Sequence, residues 1–114
     1  MATTYNTIID QNADWYLTVT WNDSSNNPIN LTGYSAALQF RTSALATTTA
    51  LSLTSGSGIT LGGSAGTIAI HATASQTATL SPGSYAYDLE MISGGGVVTR
   101  LISGTGLVNP AVTR

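Results

Sequence analysis

Cysteine and lysine are both absent from this chain of 114 residues, and charged residues of all kinds make up only 7% of it. Without cysteine, the chain forms neither a disulfide framework nor a thiolate metal site. Its three arginines are scattered and its formal net charge is −2, whereas nucleic-acid binding depends on clustered basic residues. We therefore expect no nucleic-acid partner.

Long apolar segments are missing as well. No apolar run approaches the roughly 18 residues that a membrane-spanning helix needs. Residues 1–16, MATTYNTIIDQNADWY, lack the basic and apolar regions of a secretory signal peptide. The sequence therefore predicts neither an export signal nor a membrane partner.

The residues that are present predict a folded domain. The chain is 42% hydrophobic, and threonine, serine, alanine and glycine supply most of the remainder. Its length suits one domain with one core. A surface with few charges and no lysine does little to keep a protein soluble alone. This composition favours a protein that packs against neighbours in an assembly, with a neutral free-standing β-domain as the alternative.

The clearest local signal is a β-hairpin over residues 83–104. Two runs of strand-forming residues flank three glycines at 94–96, and a glycine-containing loop of three residues closes such a hairpin. The predicted cross-strand pairs are Ser93 with Val97, Ile92 with Val98, Glu90 with Arg100, Leu89 with Leu101 and Asp88 with Ile102. We interpret Glu90 and Arg100 as a surface ion pair.

Other strands are indicated by alternation of apolar and polar residues. Residues 14–22 and 34–41 alternate strictly, which predicts two strands with one buried face each, paired antiparallel with one another. Shorter strands are predicted at 50–54, 59–61 and 67–71, and a last one at 105–114. Residues 73–80 are the one plausible helix, capped by Thr73 or Ser75.

Short strands joined by glycine- and asparagine-rich turns predict an all-β protein, an immunoglobulin-like antiparallel β-sandwich with one short helix. Residues 1–13 are expected to be an N-terminal arm or edge strand, and 14–114 a single sandwich domain. The predicted core consists of Trp15, Leu17, Val19, Trp21, Tyr34, Leu38, Phe40, Ile68, Ile70, Tyr85, Tyr87, Leu89 and Leu101.

Candidate chemistry is sparse. Asp88 and Glu90 lie two apart on one strand, so their side chains share a face about 7 Å apart, which allows acid–base work on glycosides but equally suits two solvated carboxylates. His71 is the only histidine, and we expect it to be exposed on a polar face. Asp10 and Asp14 match no known calcium loop. We predict no catalytic, cofactor-binding or metal-binding residues, and hence no enzyme and no cofactor.

The order of several motifs resembles a family. DWYLTVTW at 14–21 is followed by PINLTGY at 28–34, QFR at 39–41, GITL at 58–61, GTIAI at 66–70, YAYDLE at 85–90, VTRLISG at 98–104 and VTR at 112–114. This order resembles small virion proteins of tailed bacteriophages. It is also similar to the β-sandwich domain that begins phage baseplate or receptor-binding adaptor proteins, where a DLTG element precedes the second strand and where Asn30 here replaces the aspartate.

The resemblance implies a non-enzymatic structural component of a tailed-phage virion, a tail or baseplate adaptor or tail-associated assembly module. A capsid decoration, or cement, protein that stabilises the head lattice is the close alternative. A carbohydrate-binding module that uses Trp15, Trp21 or exposed tyrosines, and a small hydrolase that uses Asp88 and Glu90, are further alternatives. The expected partners are other virion proteins and further copies of the chain, in virions assembled in the bacterial host cytoplasm.

Overall fold

The computed structural model describes residues 3–43 and 45–112, and it confirms the predicted all-β class with one short helix. Met1, Ala2, Thr113 and Arg114, at the ends of the predicted N-terminal arm and last strand, lie outside the described residues, as does Ala44 in a predicted loop. The elements are β1 (Thr3–Thr4), β2 (Thr7–Asp10), β3 (Trp15–Thr20), β4 (Ser35–Arg41), β5 (Leu51–Ser55), β6 (Gly58–Leu61), β7 (Thr67–Ala72), α1 (Ala74–Thr77), β8 (Gly83–Ile92) and β9 (Val98–Asn109), with one 3-10 turn at Gly63–Ala65 between β6 and β7.

The strands form one curled sheet that folds into two layers. Its order is β1-β9-β8-β4-β5-β6-β7-β3, with β2 also beside β9. The layers face each other, because Trp15 of β3 lies 5.6 Å from Phe40 of β4 between ring centroids although their strands are far apart in the sheet. Strands β5-β4-β8-β9 and β6-β7-β3 follow the C′CFG and DEB orders of a variable-type immunoglobulin domain.

A tyrosine corner marks the same fold. The hydroxyl of Tyr85, near the start of β8, donates a 2.7 Å hydrogen bond to the carbonyl of Ser81 four residues upstream. This is where immunoglobulin domains carry their tyrosine corner, at the entry to strand F. Together with the strand order, it identifies an immunoglobulin-like sandwich, as the sequence predicted.

The helix is shorter than its predicted span of 73–80. It comprises Ala74–Thr77, and Thr73 forms a capping box in which its hydroxyl accepts from the N–H of Gln76. The Gln76 side chain accepts in turn from the N–H of Thr73, at 2.9 Å. No helix in the described part of the chain is long and apolar enough to cross a membrane.

The sheet is mixed, whereas the sequence predicted only antiparallel pairing. β1 and β2 run parallel to β9, with Thr3 opposite Ile102 and Thr7 opposite Gly106. The short connection 11–14 takes the chain from β2 in one layer to β3 in the other. The N-terminal segment therefore pairs with the edge of β9 and not with its neighbour in sequence.

The predicted pairing of the two alternating strands is wrong. β3 pairs with β7, and β4 pairs with β5 and β8. The two strands instead meet across the core, where Trp15 contacts Phe40 edge-on and Trp21 contacts Tyr34 edge-on at 5.9 Å. Alternation identifies the buried face of a strand, but it does not distinguish a neighbour in the sheet from a neighbour across the core.

The hairpin register is correct only near its turn. Ile92 lies opposite Val98 and Glu90 opposite Arg100, but a bulge between Leu89 and Glu90 places Leu89 opposite Ile102 instead of Leu101. The same shift places Asp88 opposite Ser103 instead of Ile102. An inserted residue of this kind changes the register of everything beyond it. β9 then continues to Asn109, so the predicted last strand is its second half.

The turn of this hairpin depends on a glycine. The N–H of Ser93 donates to the Val97 carbonyl at 2.9 Å, and the N–H of Gly96 donates to the Ser93 carbonyl at 2.9 Å. Gly96 has a φ of 91°, a conformation that glycine adopts without the steric cost of a side chain.

The core lies between the layers and centres on aromatic rings. Eight of the thirteen predicted core residues are buried, and five are partly buried and pack against the core. The partly buried five are Leu17, Val19, Trp21, Tyr34 and Leu101. Buried residues outside the predicted set include Ile9, Leu31, Leu51, Leu53, Ile59, Leu80, Met91, Ile102 and Val108.

The N-terminal segment docks closely on β9 at Gly104. A Cβ at Gly104 would overlap the backbone carbonyl oxygen of Tyr5. The same carbonyl accepts a hydrogen bond from the Tyr87 hydroxyl. Burial of Tyr87 and the nearby Tyr5 raise the pKa of the Tyr87 hydroxyl to about 12, so it remains a donor to this carbonyl well above neutral pH.

Replacing Phe40 by Ala should destabilise the fold by about 3–5 kcal/mol, because it opens a cavity at a fully buried ring that touches both layers. Trp21→Ala should cost less, since Trp21 is only partly buried. Urea unfolding of both variants measures the difference. An equal or larger loss for Trp21→Ala would contradict this description of the core.

Replacing Gly104 by Ala should destabilise the fold by about 1–3 kcal/mol, because the N-terminal segment must move away from β9. Hydrogen exchange should accelerate in residues 3–10. Gly95→Ala is the matched control, since a Cβ there meets only the Ser93 hydroxyl oxygen at 3.9 Å. Unchanged exchange in residues 3–10 of the Gly104 variant would contradict the prediction.

Candidate functional site

A polar groove of about 580 Å³ lies open on the outer face of β4, β8 and β9. It contains four of the chain's charged side chains, which are Arg41, Asp88, Glu90 and Arg100. Strand alternation produces it, since residues of β4 and β8 that point away from the core fall on this face. Small residues form part of its lining, at Ala37, Ala86, Ser103 and Gly104.

The ion pair in this groove differs from the predicted one. Glu90 and Arg100 are opposite each other in the ladder, but the Arg100 Nε lies 3.1 Å from Oδ2 of Asp88. The bulge between Leu89 and Glu90 breaks the regular register, and Arg100 reaches diagonally to the next outward carboxylate. Both partners are partly exposed, so the pair stabilises the fold by about 0–1 kcal/mol.

Arg41 is fixed at the other end of the groove. Its Nη2 donates to Oε1 of Gln39 at 2.8 Å, and its Nη1 donates to the Ala46 carbonyl at 3.1 Å. It thereby ties β4 to the connection before β5. Asp88 and Glu90 do share one face as predicted, but a guanidinium engages Asp88 in an open groove. The arrangement suits surface recognition through charge and hydrogen bonds.

A second polar cluster joins β3, β7 and α1. Oδ2 of Asp14 lies 2.9 Å from Nε2 of His71, and its Oδ1 accepts from the N–H of Ala74 at 2.8 Å. The Tyr16 ring stacks on the His71 ring with centroids 4.4 Å apart. His71 is 40% exposed in its side chain, on the polar face. The hydrogen bonds from His71 and then from the Ala74 N–H lower the pKa of the Asp14 carboxyl.

This cluster was not predicted from the sequence, because the predicted pairing placed β3 beside β4 whereas β3 lies beside β7. Tyr16 lies directly opposite His71 in that ladder, and Asp14 is only two residues away along the chain. The signal was present in the alternation, since Tyr16 and His71 each fall on the polar side of their strands. In the observed antiparallel register of β3 and β7, these side chains lie opposite each other.

The described side chains also bear on metal and sugar binding. Within residues 3–43 and 45–112, no three His, Cys, Asp or Glu side chains group closely enough to hold a metal ion. Asp10 contacts the Asn109 amide at 3.4 Å, apart from the Asp14 cluster. Trp15 is 6% exposed and its Nε1 donates to the Thr7 hydroxyl, so its ring offers no open face for sugar stacking.

The two ends of the sheet are the other candidate surfaces. β3 ends the strand order with β7 as its only strand neighbour in the part of the chain that the structure describes, and β1 and β2 lie at the opposite end beside β9. The side chains of β3 are all uncharged. On β2, Ile8 is 60% exposed and lies opposite the partly exposed Leu107 of β9. Both ends present backbone groups that another strand can pair with.

Comparisons with known proteins give a limited result. No protein-family model matches the chain, and no curated protein matches it. One solved structure to which it is similar comes from a study of multimeric cell-adhesive interactions of VGSC beta subunits. The TM-score is 0.43 at 12% identity, covering 96% of this chain and 93% of that chain. A match of this quality identifies neither the family nor the function of this chain.

Replacing Asp14 by Asn should lower the melting temperature at neutral pH, because the charged carboxylate holds His71 and the Ala74 N–H. The folded-state pKa of Asp14 is depressed, so its contribution is present above the unfolded pKa and is lost as pH falls through the folded value. The gap between wild type and variant should therefore close below about pH 4.

Thermal melts from about pH 2.5 to about pH 7, which includes the range in which carboxyl groups titrate, measure the difference in melting temperature between wild type and variant. Asp10→Asn is the control, because the Asp10 carboxylate makes one long contact to Asn109. A gap for Asp14→Asn that stayed constant down to the lowest pH would show that the carboxylate charge does not act as described.

Proposed function

We propose that this chain is a non-enzymatic structural component of a tailed-phage virion, a tail or baseplate adaptor or a tail-associated assembly module. The observation that carries the proposal is the pair of open sheet ends on a small domain in which only 7% of the residues are charged. β3 has no charged residue, and β1 and β2 together have one, Asp10.

Such edges favour assembly for a physical reason. A free strand edge displays unpaired N–H and C=O groups, and monomeric proteins protect it with lysine, proline, bulges or a covering segment. This chain contains no lysine, and β3 contains no proline. An edge strand without such protection promotes aggregation of a free protein, but it allows a protein in an assembly to pair with its neighbours.

The order of motifs supports the phage assignment within that class. From Asp14 onward it resembles small virion proteins and adaptor β-sandwich domains of tailed phages. Many symmetric copies would turn weak contacts into strong attachment, because each further contact forms at high effective concentration. The proposed partners are therefore other virion proteins and further copies of this chain, and the proposed location is the virion.

The outer groove is consistent with a binding role and not with a shielded reaction site. Asp88 is engaged by Arg100, and both side chains contact solvent. Catalysis by a carboxylate pair depends on one carboxyl group held protonated by its surroundings. We therefore assign Asp88 and Glu90 to surface recognition in the outer groove and not to catalysis.

Quantitative mass spectrometry of purified particles, made from the phage genome that encodes the chain, tests the proposal. We expect the protein in intact particles and in isolated tails, at a small multiple of three or six copies. Hundreds of copies in tail-free heads would instead assign it to capsid decoration. Its absence from particles that contain all major structural proteins would overturn the virion role.

A further inference from the structure

The outer edge of β3 has no strand beside it within residues 3–43 and 45–112. We infer that β3 pairs antiparallel with β3 of a second copy of this chain across a two-fold axis at Thr18, joining the two β6-β7-β3 layers into one continuous sheet. The inference deepens the self-association within the proposed function and rests on that part of it. It does not depend on whether the assembly is a virion.

The edge itself is unprotected along its whole length. β3 is six residues long, WYLTVT, and it has no charge, proline, glycine or bulge. Its regular pairing with β7 runs from Trp15 opposite Ala72 to Thr20 opposite Thr67 without a register shift. A straight, uncharged edge strand is the kind of element that accepts another strand.

The N-terminal segment leaves this edge open. In the immunoglobulin arrangement that the strand order follows, a first strand A belongs to the sheet that contains strand B, which β3 represents. Here the first two strands pair with β9 at the other end of the sheet order. The described chain therefore provides no strand for the outer side of β3.

The pleat restricts the register of self-pairing, and Thr18 lies near the middle of β3, where a two-fold axis pairs most of the strand with its copy. A two-fold axis perpendicular to the sheet keeps inward residues with inward residues, so a residue must lie opposite one of the same face. With Thr18 opposite its own copy, Tyr16 lies opposite Thr20 and Leu17 lies opposite Val19. Thr18 and Tyr16 are exposed, while Leu17 and Val19 are only partly buried.

This register brings together side chains that stabilise a ladder. Threonine pairs, aromatic with β-branched pairs and aliphatic pairs are favourable across strands, and like charges are unfavourable. No charged residue lies within the paired segment, so the two-fold axis creates no like-charge contact. The pairing also covers the partly exposed sides of Leu17 and Val19. These features indicate a second copy as the occupant.

The contact is small, because it consists of a few backbone hydrogen bonds and one row of side chains on each face. We therefore expect weak association that strengthens when many copies are held together. Sedimentation equilibrium should give a weight-average mass that rises above the monomer mass of 11.7 kDa as the concentration increases. A mass that stayed at the monomer value at the highest soluble concentration would overturn the inference.

Thr18→Lys tests the interface, because it places two ammonium groups opposite each other at the axis. We expect the dimer dissociation constant to rise by roughly fivefold or more. Thr60→Lys is the matched control, since Thr60 is also an exposed threonine but lies on β6, which β7 separates from β3. Equal weakening by both substitutions, or none by Thr18→Lys, would overturn the inference.

A charge exchange makes the test specific for this axis. Thr18→Lys and Thr18→Glu should each weaken self-association, while an equimolar mixture should restore it, because Lys and Glu then face each other. Matching thermal melts for Thr18→Lys and Thr60→Lys ensure that loss of association is not loss of folding. Failure of the mixture to associate more than either variant alone would contradict pairing at Thr18.

Cysteine cross-linking provides a second readout. The chain contains no cysteine, so Thr18→Cys introduces one thiol per copy. Directly opposite residues of antiparallel strands have Cα atoms about 4.5–5.5 Å apart, within the range that a disulfide spans. Mild oxidation should give a covalent dimer of Thr18→Cys and much less of Thr60→Cys. Equal cross-linking of both variants would reflect random collision and contradict the inference.

All of these experiments use the purified chain alone. Absence from phage particles would therefore refute the virion role and leave the β3 pairing standing. Conversely, a chain that is monomeric by every one of these measurements but present in virions would refute the pairing and leave the virion role standing.

Discussion

The stack of Trp15, Phe40 and Tyr87 is the contact on which the two-layer structure depends. Phe40 lies parallel to Tyr87, with ring centroids 5.1 Å apart, and edge-on to Trp15 from the opposite layer. Immunoglobulin domains of antibodies place a disulfide and a tryptophan at the corresponding point, and the second cysteine follows the tyrosine corner by two residues. Tyr87 occupies that position here, two residues after Tyr85. A chain without cysteine thus joins its layers by burying aromatic rings, through area and ring geometry and not through a covalent bond.

Much of the fold follows from alternation and turn residues. The hairpin, the inward faces of β3 and β4, the capped helical turn and the all-β class were all predicted from local patterns. The arrangement of the strands was harder to predict. The same alternation of apolar and polar residues fits two strands that are neighbours in one sheet and two strands that face each other across the core. That ambiguity explains why β3 and β4 were wrongly paired, and why the Asp14 and His71 contact, 57 residues apart in sequence, was not foreseen.

The bulge in β9 has a local signal in the sequence. Leu101 and Ile102 are adjacent apolar residues, which interrupts strict alternation in the strand. One extra residue returns Ile102 to the buried face and leaves Leu101 partly exposed. The change in register also redirects Arg100 to Asp88, so a surface ion pair was assigned to the wrong carboxylate. By contrast, the parallel docking of β1 and β2 has no local signature, because it depends on which sheet end is free.

The parallel pairing of β2 with β9 also decides how the domain responds to mechanical force. The two strands run in the same direction. The N-terminal side of the chain leads into the first residue of β2, and the C-terminal side follows the last residue of β9. Tension applied between Thr3 and Val112 would draw the two strands past each other along their length. Their hydrogen bonds, evenly spaced in a parallel ladder, would then share the load together instead of opening one after another. The close contact between Tyr5 and Gly104 lies along the same line, where the N-terminal segment meets β9. If the domain is attached to its surroundings at both ends, a pulling force acts along β2 and β9, the direction in which their paired strands resist separation best.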